Sequence, residues 1–446
     1  MLNDARMIIE VLDKKGFESY FVGGCVRNMM MKRPLSDVDI TTAAKPEEVV
    51  ETFSAEGIHA IPTGIKYGTV TVILDGVNFD VTTFRKKISM DGRRSSVEFG
   101  TSLEEDLLRR DFTMNAIAYS PKDDSFIDPY NGTEDIKAKV IRAVGVPIER
   151  FREDYLRMIR AHRFQATLGF DIENKTLDAL YCAAREDWQG LISPERIREE
   201  FNKCIKRAEE PSVMFEGMRK SGLLQEILPE LTECFGFEQN RYHEYDLYCH
   251  TLRTVDGVFK EYDLIRWSAL FHDLGKISAC NNYGPDATFY GHERGSADIA
   301  LRIMKRLKFS NEAIHKVLSL VKCHMLQYTD DMKDSSVRRL VASVGVENIE
   351  DLCTLWSADK RAKGHVQPQE GVGEFKAILE RLESMSAEEK IFKVKDLAIG
   401  GKEVMEIKGI PSSPEVGEVL HELFDAVLED TTLNTNEKLR EMVLKM

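Results

Sequence analysis

Two aspartates separated by one residue are the first feature of the sequence that could do chemistry. Asp37 and Asp39 lie in the stretch RPLSDVDITT, an otherwise apolar and β-prone run. Side chains at positions i and i+2 of a strand share one face, so we expect the two carboxylates to project together. Two carboxylates so close repel each other unless a cation neutralises them. The pattern fits half of a Mg²⁺ site, and it also fits the solvated edge of a surface strand.

A glycine turn precedes the two aspartates. In FVGGCVRN a strand leads into Gly23 and Gly24, and Arg27 follows on the start of a predicted helix. Glycines let backbone N–H groups approach a phosphate, and an arginine one turn on supplies a charged fork to it. Downstream, Asp80 in FDVTTFR either completes the metal site or is a solvated acid at a strand end. A triphosphate cradle beside Mg²⁺ carboxylates is what nucleotidyl transfer requires.

Charged residues recur at every third position of EDYLRMIRAHR: Asp154, Arg157, Arg160 and Arg163. On a helix each would be rotated by about 60° from the last, with Asp154 and Arg157 neighbours one turn apart. By itself this pattern is typical of a surface ion-pair ladder. In a nucleotide pocket, an Asp acceptor beside an Arg donor matches the edges of cytosine and adenine, and it opposes the edges of uracil and guanine. The motif could therefore select CTP and ATP without a nucleic-acid template.

Histidines and aspartates form a second set later in the chain. Hard carboxylates mixed with imidazoles suit Mg²⁺, Mn²⁺, Fe or Ni better than a structural zinc. Any single histidine among them is equally explained as a satisfied core or surface side chain. The candidates lie on predicted helices or at their ends and are His250, His272, Asp273, His292, His324 and Asp359.

The elements that position these residues change character along the chain. Up to about residue 145, short β-branched runs such as GTVTVIL alternate with helical stretches, and from about 150 the pattern is almost wholly helical. With 446 residues, 43% of them hydrophobic, the chain is too long for one compact core. The patterns predict an α+β protein of several domains.

Composition narrows the class of protein. We find no apolar run long enough for a membrane span and no secretion signal at the start of the chain, so we expect no membrane association and a cytoplasmic location. Eight scattered cysteines without a CxxC pair argue against disulfides and a thiolate zinc site. The net charge of −14 argues against indiscriminate coating of nucleic acid, but residues 137–163 hold eight Lys or Arg against three acids. A polyanion is expected to bind there.

Five segments in order resemble one family: FVGGCVRNMMMKRPLSDVDI, FDVTTFR, RRDFTMNAIAY, DPYNGTEDIKAKVIRAVG and RFREDYLRMIRAHRF. Together they are similar to the CCA-adding tRNA nucleotidyltransferases and bacterial poly(A) polymerases, the class II nucleotidyltransferases. The resemblance covers roughly the first 210 residues, and a C-terminal helical region extends it over nearly the whole chain. One departure is Asn28, where the family usually has Asp after the arginine.

The resemblance implies a polymerase β-type nucleotidyltransferase head at 1–145 and a helical neck and body for nucleobase recognition and RNA binding at 146–240. A C-terminal helical tail at 366–446 would bind tRNA. In the head, Gly24 and Arg27 would contact the triphosphate, and Asp37 and Asp39 would hold Mg²⁺. The remaining nucleotide contacts would be Arg110, Asp111, Asp154, Arg157, Arg160 and Arg163.

The residues around the second set resemble an HD-type metal-dependent phosphohydrolase domain, expected at 241–365. By that resemblance His250, His272, Asp273 and Asp359 surround one divalent metal, with His292 and His324 available to a second. Its reaction would be hydrolysis of a phosphomonoester or a 2′,3′-cyclic phosphate by metal-activated water.

The expected main reaction is addition of CCA to tRNA 3′ ends from CTP and ATP. The polar loop ISMDGRRSS, with Gly92, Arg93 and Arg94, favours full CCA addition or A addition over CC addition, because CC-only members of the family typically lack such a loop. Alternatives are a poly(A) polymerase or A-adding enzyme, and mainly a phosphohydrolase whose head binds nucleotide as a regulator. The sequence defines no oligomeric state.

Overall fold

A computed structural model of the chain describes residues 1–35, 37–65, 68–91, 94–99, 102–326, 328–329, 331–364, 372–385, 390 and 392–446. The chain divides into two compact units. The first consists of Met1–Glu200 and Val213–Glu226, and the second of Phe201–Ser212 and Ile227–Met446. The first unit carries the β-sheet and the second is helical, which confirms the predicted α+β class.

The strands of the first unit form one mixed sheet and two small ribbons. The large sheet has the order β3-β4-β5-β2-β1-β8-β9, while β6 pairs with β7 and β10 with β11. The strands are β1 Ser19–Val22, β2 Asp39–Thr42, β3 His59–Gly64, β4 Thr69–Leu74, β5 Val77–Thr83, β6 Arg85–Asp91, β7 Arg94–Phe99, β8 Ala118–Ser120, β9 Ser125–Ile127, β10 Val140–Ile141 and β11 Asp171–Ile172.

The centre of the large sheet sets the register of the predicted acids. Strand β2 pairs antiparallel with β1 and parallel with β5, where Ile40 lies opposite Val81. Asp39 and Asp80 each precede one of these paired residues, so the two side chains lie on the same face of adjacent strands. Buried apolar side chains of β1, β2, β4 and β5 fill the core that fixes this register: Phe21, Val22, Ile40, Val70, Val72, Phe79 and Val81.

The described residues of the first part of the chain also form eleven helices, and no strand follows β11. They are α1 Leu2–Lys14, α2 Gly24–Met30, α3 Pro46–Ala55, α4 Leu103–Leu108, α5 Gly132–Ala138, α6 Pro147–Glu153, α7 Leu156–Leu168, α8 Asn174–Ala183, α9 Pro194–Arg207, α10 Ser212–Ser221 and α11 Leu223–Ile227. Helix α9 begins as its sequence predicts, with Pro194 in the first turn and the Ser193 hydroxyl accepting from the Arg196 N–H.

The second unit is built from helices. They are α12 Pro229–Thr232, α13 Leu247–Asp256, α14 Asp263–Phe271, α15 Lys276–Ala279, α16 His292–Arg306, α17 Asn311–Cys323, α18 Asp334–Val344, α19 Ile349–Ala362, α20 Val372–Ser384, α21 Gly401–Lys408, α22 Pro414–Glu429 and α23 Asn436–Lys445. Helices α13, α14, α17 and α19 pack on one another, and α21–α23 share a separate apolar core around Leu423 and Val427. Among the described helices, none combines the length and apolar composition that crossing a membrane requires.

Three local predictions need correction. Asp37 lies before β2 instead of on it, because the strand begins at Asp39. Asp154 is not helical: its φ of −157° and ψ of 100° separate α6 from α7, and its carboxylate accepts from the Leu156 N–H. The predicted polar loop is largely the β6–β7 hairpin, in which Gly92 and Arg93 lie outside the described residues.

Candidate functional site

The three predicted acids of the first unit lie in the region where β2 begins, near enough to interact electrostatically. Asp39 is the first residue of β2, Asp80 lies on β5, and the Thr71 hydroxyl donates to Asp80 Oδ1 at 2.8 Å. The pKa of Asp39 is raised, first because surrounding protein displaces water around its carboxylate, and further because Asp37 and Asp80 are like charges; Arg110 opposes the shift. Carboxylates that destabilise each other's charge are a donor set suited to a hard cation.

Gly23 lies between the acids and the basic side chains. Its φ of 76° and ψ of −134° favour glycine, and a Cβ there would lie 3.1 Å from Arg110 Nη1 and 3.5 Å from Asp39 Oδ2. Arg110 Nη2 donates to the buried Asp106 Oδ2 at 3.0 Å, which anchors this guanidinium beside the acids. The glycine turn thus brings Arg110 and Asp39 close together.

Arg27 of α2 is buried and held by two amide side chains. Its Nη1 donates to Asn115 Oδ1 at 2.6 Å, and its Nη2 donates to Asn28 Oδ1 at 3.1 Å. Asn28, the departure from the family pattern, therefore keeps a bond to the arginine. Burial and the nearby positive charge of Arg163 lower the pKa of Arg27 to about 10, which leaves it charged at neutral pH.

Arg27 belongs to a group of arginines around one aromatic ring. The guanidinium carbons of Arg27, Arg160 and Arg163 lie 5.1, 5.5 and 3.7 Å from the centre of the Phe164 ring. Phe164 follows the predicted motif directly on α7. A ring face attracts guanidinium groups, so Phe164 helps to gather three positive charges that would otherwise repel one another.

Two carboxylates pair with two of these arginines, Arg160 and Arg163. Asp111 accepts from Arg160 Nη2 at 2.6 Å and from Asn115 Nδ2 at 2.9 Å, and Glu200 of α9 accepts from Arg163 Nε at 2.5 Å. Burial alone would raise the pKa of Asp111, but Arg160 and the Asn115 hydrogen bond hold it well below its usual range. The resulting network is buried, ionised and paired.

Asp154 and Arg157 have different partners. Asp154 forms a bidentate pair with Arg196 of α9, with N–O distances of 3.2 and 2.7 Å. Arg157 donates from Nη1 to Glu153 Oε2 at 2.9 Å and from Nη2 to the Arg109 carbonyl oxygen at 2.7 Å. Each candidate base-recognition group is thus oriented by its own neighbour.

Several residues of this region were not among the predictions. Phe164 and Asn115 lie inside quoted motifs but are neutral, and a neutral side chain gives no charge signal. Glu200 and Arg196 lie on α9, about 40 residues beyond the motif that they contact. Their only sequence signal is the run of charges in SPERIREEF.

The second predicted set converges in the second unit. Ligand atoms come within 4.8 Å of one another at two places in the described part of the chain, and both include Asp273. The first group is His250, His272, Asp273 and Asp359, and the second is Asp273, His292 and His324. We call these six residues the His–Asp cluster. They come from five helices or their ends, α13, α14, α16, α17 and α19, and all are buried except Asp359, which is partly buried.

Backbone carbonyl groups fix the tautomers in the His–Asp cluster. The Nδ1 atoms of His272, His292 and His324 each lie 2.7 Å from the carbonyl oxygen three residues earlier. These Nδ1 atoms must donate, so in the neutral rings the Nε2 atoms carry lone pairs. Nε2 of His292 lies 3.1 Å from that of His324, and Nε2 of His250 lies 3.3 Å from that of His272. Lone pairs that converge in this way repel each other, and a proton or a metal ion between them would relieve the repulsion.

The pKa values of His272 and Asp273 also indicate strong electrostatic coupling inside the His–Asp cluster. Burial opposes the charged form of His272, yet Asp273 and Asp359 raise its pKa to about 10. Burial likewise opposes ionisation of Asp273, but His272 and Lys276 hold the pKa of its carboxyl well below the usual range. A proton on His272 therefore occupies a place that a divalent metal would take, and metal binding would release it. Lys276 Nζ also contacts Asp273 Oδ2 at 2.7 Å.

Comparisons with known sequence families divide the chain into three matched segments. Residues 19–142 match the Poly A polymerase head domain, and residues 169–235 match the Probable RNA and SrmB-binding site of polymerase A. Residues 295–443 match a tRNA nucleotidyltransferase domain 2. The class defined by the sheet and these matches is that of the nucleotidyltransferases with a poly(A) polymerase head.

Three individual relatives indicate the family within this class to which the chain is similar. A CCA-adding enzyme of Pediococcus pentosaceus is 31% identical over 99% of this chain and 98% of its own length. A CCA-adding enzyme of Lactobacillus delbrueckii subsp. bulgaricus is 45% identical over 51% of this chain, and that match spans 56% of the relative. The crystal structure of a Bacillus stearothermophilus CCA-adding enzyme in complex with CTP has a TM-score of 0.70 and 29% identity, covering 99% of this chain and 96% of the other. The chain belongs to the family of CCA-adding tRNA nucleotidyltransferases.

Proposed function

We propose that this chain adds CCA to the 3′ ends of tRNA, using CTP and ATP and no nucleic-acid template. The observation that carries the proposal is the grouping of Asp39, Asp80 and Arg110 at the mouth of the Gly23 turn, in a chain that matches a CCA-adding enzyme over nearly its whole length. Carboxylates for a metal beside an arginine for phosphate are the parts that nucleotidyl transfer needs.

In the proposed reaction the tRNA 3′-hydroxyl attacks the α-phosphorus of the nucleotide, and pyrophosphate leaves. Asp37, Asp39 and Asp80 would hold Mg²⁺, which lowers the pKa of the attacking hydroxyl and neutralises charge on the triphosphate. Arg27 and Arg110 bind and orient the phosphates, with Gly24 allowing the backbone to approach them. The guanidinium group of each arginine presents several N–H donors in a planar fork that matches phosphate oxygens.

Nucleotide selection is assigned to Asp154 and Arg157. The ionised Asp154 only accepts hydrogen bonds and Arg157 only donates them, which suits the amino group and ring nitrogen of C and A. Asp111 is assigned to the ribose 2′-hydroxyl, which would replace one of the four hydrogen bonds that its carboxylate accepts from Phe112 N–H, Asn115 Nδ2 and Arg160 Nε and Nη2. Arg160 and Arg163 hold Asp111 and Glu200 in a network around Phe164. The wrong base would leave buried polar groups unpaired.

A single gel assay tests the main proposal. Purified chain is incubated with tRNA truncated before CCA and with each NTP singly and together, so that product length separates CC, A, CCA and poly(A) addition. Asp37→Ala is expected to abolish incorporation of labelled CTP and ATP. Glu51→Ala, an exposed acid on α3, is the matched control and should incorporate like wild type. Incorporation by Asp37→Ala at the wild-type rate would refute the assignment, and a long A-only product would favour the poly(A) alternative.

A second function is favoured by the His–Asp cluster. We propose that it holds one or two divalent metals, with Mg, Mn, Fe and Ni as candidates, and hydrolyses a phosphomonoester or a 2′,3′-cyclic phosphate. The supporting observation is the convergence of histidine lone pairs around Asp273. A His272→Ala/Asp273→Ala protein should lose hydrolysis of 2′,3′-cyclic CMP. Hydrolysis as fast as that of wild type would remove the cluster from the reaction.

The domain limits remain part of the proposal. A head at 1–145 contains the matched head segment, and a neck and body at 146–240 contains the matched RNA-binding segment. The proposed phosphohydrolase domain at 241–365 contains the whole His–Asp cluster, and the tail at 366–446 would bind tRNA. Expression of 1–240 alone, followed by hydrogen exchange, would test whether the first two parts fold without the rest.

A further inference from the structure

Asp106, near the end of α4, is a fully buried carboxylate to which the proposed reaction gives no role. The two arginines that lie one turn further along the chain both donate to it. Arg109 donates from Nε and Nη2 to Oδ1 at 2.9 and 2.7 Å, and Arg110 donates from Nη2 to Oδ2 at 3.0 Å. Burial alone would raise the pKa of Asp106, but Arg110 and Arg109 lower it. Asp106 is therefore an ionised carboxylate whose two oxygens hold different arginines.

Asp106 lies beside the strand on which the predicted metal carboxylate Asp39 stands. Thr41 Oγ1 lies 3.5 Å from Asp106 Oδ2, and Thr41 follows Asp39 by two residues on β2. Side chains two residues apart on a strand share one face, so Asp106 and Asp39 border the same face of β2. The positive charge of Arg110 lowers the pKa of both carboxyl groups. In the part of the chain that the structure describes, however, Arg110 forms its ion pair with Asp106 and none with Asp39.

The guanidinium group of Arg110 keeps donors that the protein does not use. Its Nη1 lies at the Gly23 turn, 3.1 Å from the position that a Cβ of residue 23 would take. Its Nε is buried and has no hydrogen-bond partner among the described residues. A buried donor without a partner costs free energy, which a bound acceptor such as a phosphate oxygen would recover. The bond to Asp106 thus fixes Arg110 while leaving donors for a ligand.

We propose that Asp106 is a positioning residue for the triphosphate: it holds the Arg110 guanidinium at the Gly23 turn, beside Asp39 and not paired with it. The inference rests on the proposed nucleotidyl transfer and adds the residue that orients one of its phosphate-binding groups. Without Asp106, the guanidinium is drawn to Asp39, and that pair would occupy both the phosphate-binding group and a carboxylate that the cation needs. Asp106 thus keeps a phosphate-binding side chain and a metal-binding side chain apart.

Asparagine at position 106 breaks the link to Arg110 selectively. An amide offers one oxygen that accepts and one NH2 group that donates. When its oxygen faces Arg109, the amide keeps both hydrogen bonds from that arginine, whereas an oxygen facing Arg110 keeps only one. The amide therefore turns its NH2 group towards Arg110, which has only donors, and the two groups oppose each other. Asp106→Asn also preserves the volume of the buried side chain.

Nucleotide binding without metal tests the proposal. The full chain is dialysed to equilibrium against labelled CTP in EDTA, and the Kd of Asp106→Asn is compared with that of wild type. We expect the Kd to rise about tenfold, the usual order for one hydrogen bond to a charged group. Loss of a negative charge by itself would strengthen triphosphate binding, so the sign of the change separates positioning from net charge. Glu104→Gln removes an exposed carboxylate from the same helix and should leave the Kd at the wild-type value.

A double-mutant cycle tests whether Asp106 acts through Arg110. Arg110→Met removes the proposed phosphate contact and should itself weaken CTP binding. In that background Asp106→Asn should not change the Kd further, because effects of residues that act through one another do not add. Kinetics supplies a second measurement: Asp106→Asn should raise KM for CTP and for ATP by the same factor, since both carry the same triphosphate. The ratio of kcat/KM for CTP to that for UTP should not change.

The outcomes separate positioning from other roles of Asp106. An unchanged or lower Kd in Asp106→Asn overturns the inference, and so do additive effects in the cycle. A lower preference for CTP over UTP also overturns it, because Asp106 would then act on the base through Arg109, whose carbonyl group holds Arg157.

Loss of stability alone does not imitate the expected result, since it lowers the fraction of active protein and changes neither Kd nor KM. If the wild type binds CTP but does not add it to truncated tRNA, the proposed function is wrong while the role of Asp106 in triphosphate binding is still decided by the Kd values. A wild type that does not bind CTP overturns both.

Discussion

The two candidate sites differ in how their buried charged and polar groups are paired. Around Phe164, each of three arginines has a side-chain partner in the protein: carboxylates for Arg160 and Arg163, and amides for Arg27. In the His–Asp cluster, histidine Nε2 atoms face one another and share one aspartate. In the first arrangement most of the positive charge has a carboxylate partner, whereas in the second the polar atoms that face one another are of the same kind. Substitutions should therefore act differently at the two places.

The largest expected effect is that a substitution at either site removes the activity of that site and leaves the activity of the other unchanged. Asp39→Asn keeps the shape of the side chain but removes a metal ligand, and it should lower nucleotide incorporation by on the order of a thousandfold, since metal stabilisation of the transition state amounts to several kcal/mol. The same protein should hydrolyse 2′,3′-cyclic CMP normally. The His272→Ala/Asp273→Ala protein should show the reverse pattern in the two assays. Loss of both activities in either variant would contradict separate sites.

Removing one carboxylate from the network around Phe164 should destabilise the first unit. Glu200→Ala leaves Arg163 buried without its carboxylate, and we expect about 3 kcal/mol lower free energy of unfolding. Hydrogen exchange measured by mass spectrometry would detect faster exchange in α7. Glu199→Ala, next to it and exposed, should change stability by less than about 0.5 kcal/mol. Equal effects of the two variants would show that the buried pair does not stabilise the unit.

A glycine pair tests how closely the elements of the cluster must approach. A Cβ at Gly275 would lie 2.4 Å from the His292 carbonyl oxygen and 2.5 Å from the Ser296 nitrogen. Gly275→Ala should push α16 away, cost about 2 to 3 kcal/mol and lower the metal content measured by mass spectrometry. At Gly295 the nearest atom is 3.5 Å away, so Gly295→Ala should bind metal normally. Normal metal content in Gly275→Ala would mean that the cluster tolerates displacement of α16.

The smallest expected effect concerns a buried histidine outside both sites. Burial lowers the pKa of His162 to about 4, from an ordinary value of 6.5. The folded unit keeps this ring neutral, so its stability is complete above pH 6.5 and falls as the pH drops from 6.5 towards 4. At pH 5 the loss should be about 2 kcal/mol. His162→Gln should flatten this part of the stability profile of the first unit, and an unchanged slope between pH 6.5 and 5 would contradict the assignment.

Much of the fold was predictable because its signals are local. The β-prone runs FVGGCV, VDITT, GTVTVIL and FDVTTF overlap β1, β2, β4 and β5, and the change to a helical pattern near residue 150 is confirmed by α6–α11. Asp154 was placed on a helix because it fits the three-residue spacing, yet its carboxylate accepts from the Leu156 N–H and the backbone there is extended. A side-chain hydrogen bond to the backbone competes with helix formation, and spacing alone does not reveal it.

The sequence by itself determined which residues could do chemistry: two aspartates around a valine, arginines after an aspartate, and six ligand-type residues in order. It did not determine their partners. Arg196 and Glu200 meet Asp154 and Arg163 only because α9 packs beside α7, and the His–Asp cluster forms only because side chains from five helices or their ends come together. Residue type and spacing are carried by neighbours along the chain. The pairing of charges is decided by contacts between distant segments, which exist only in the folded protein.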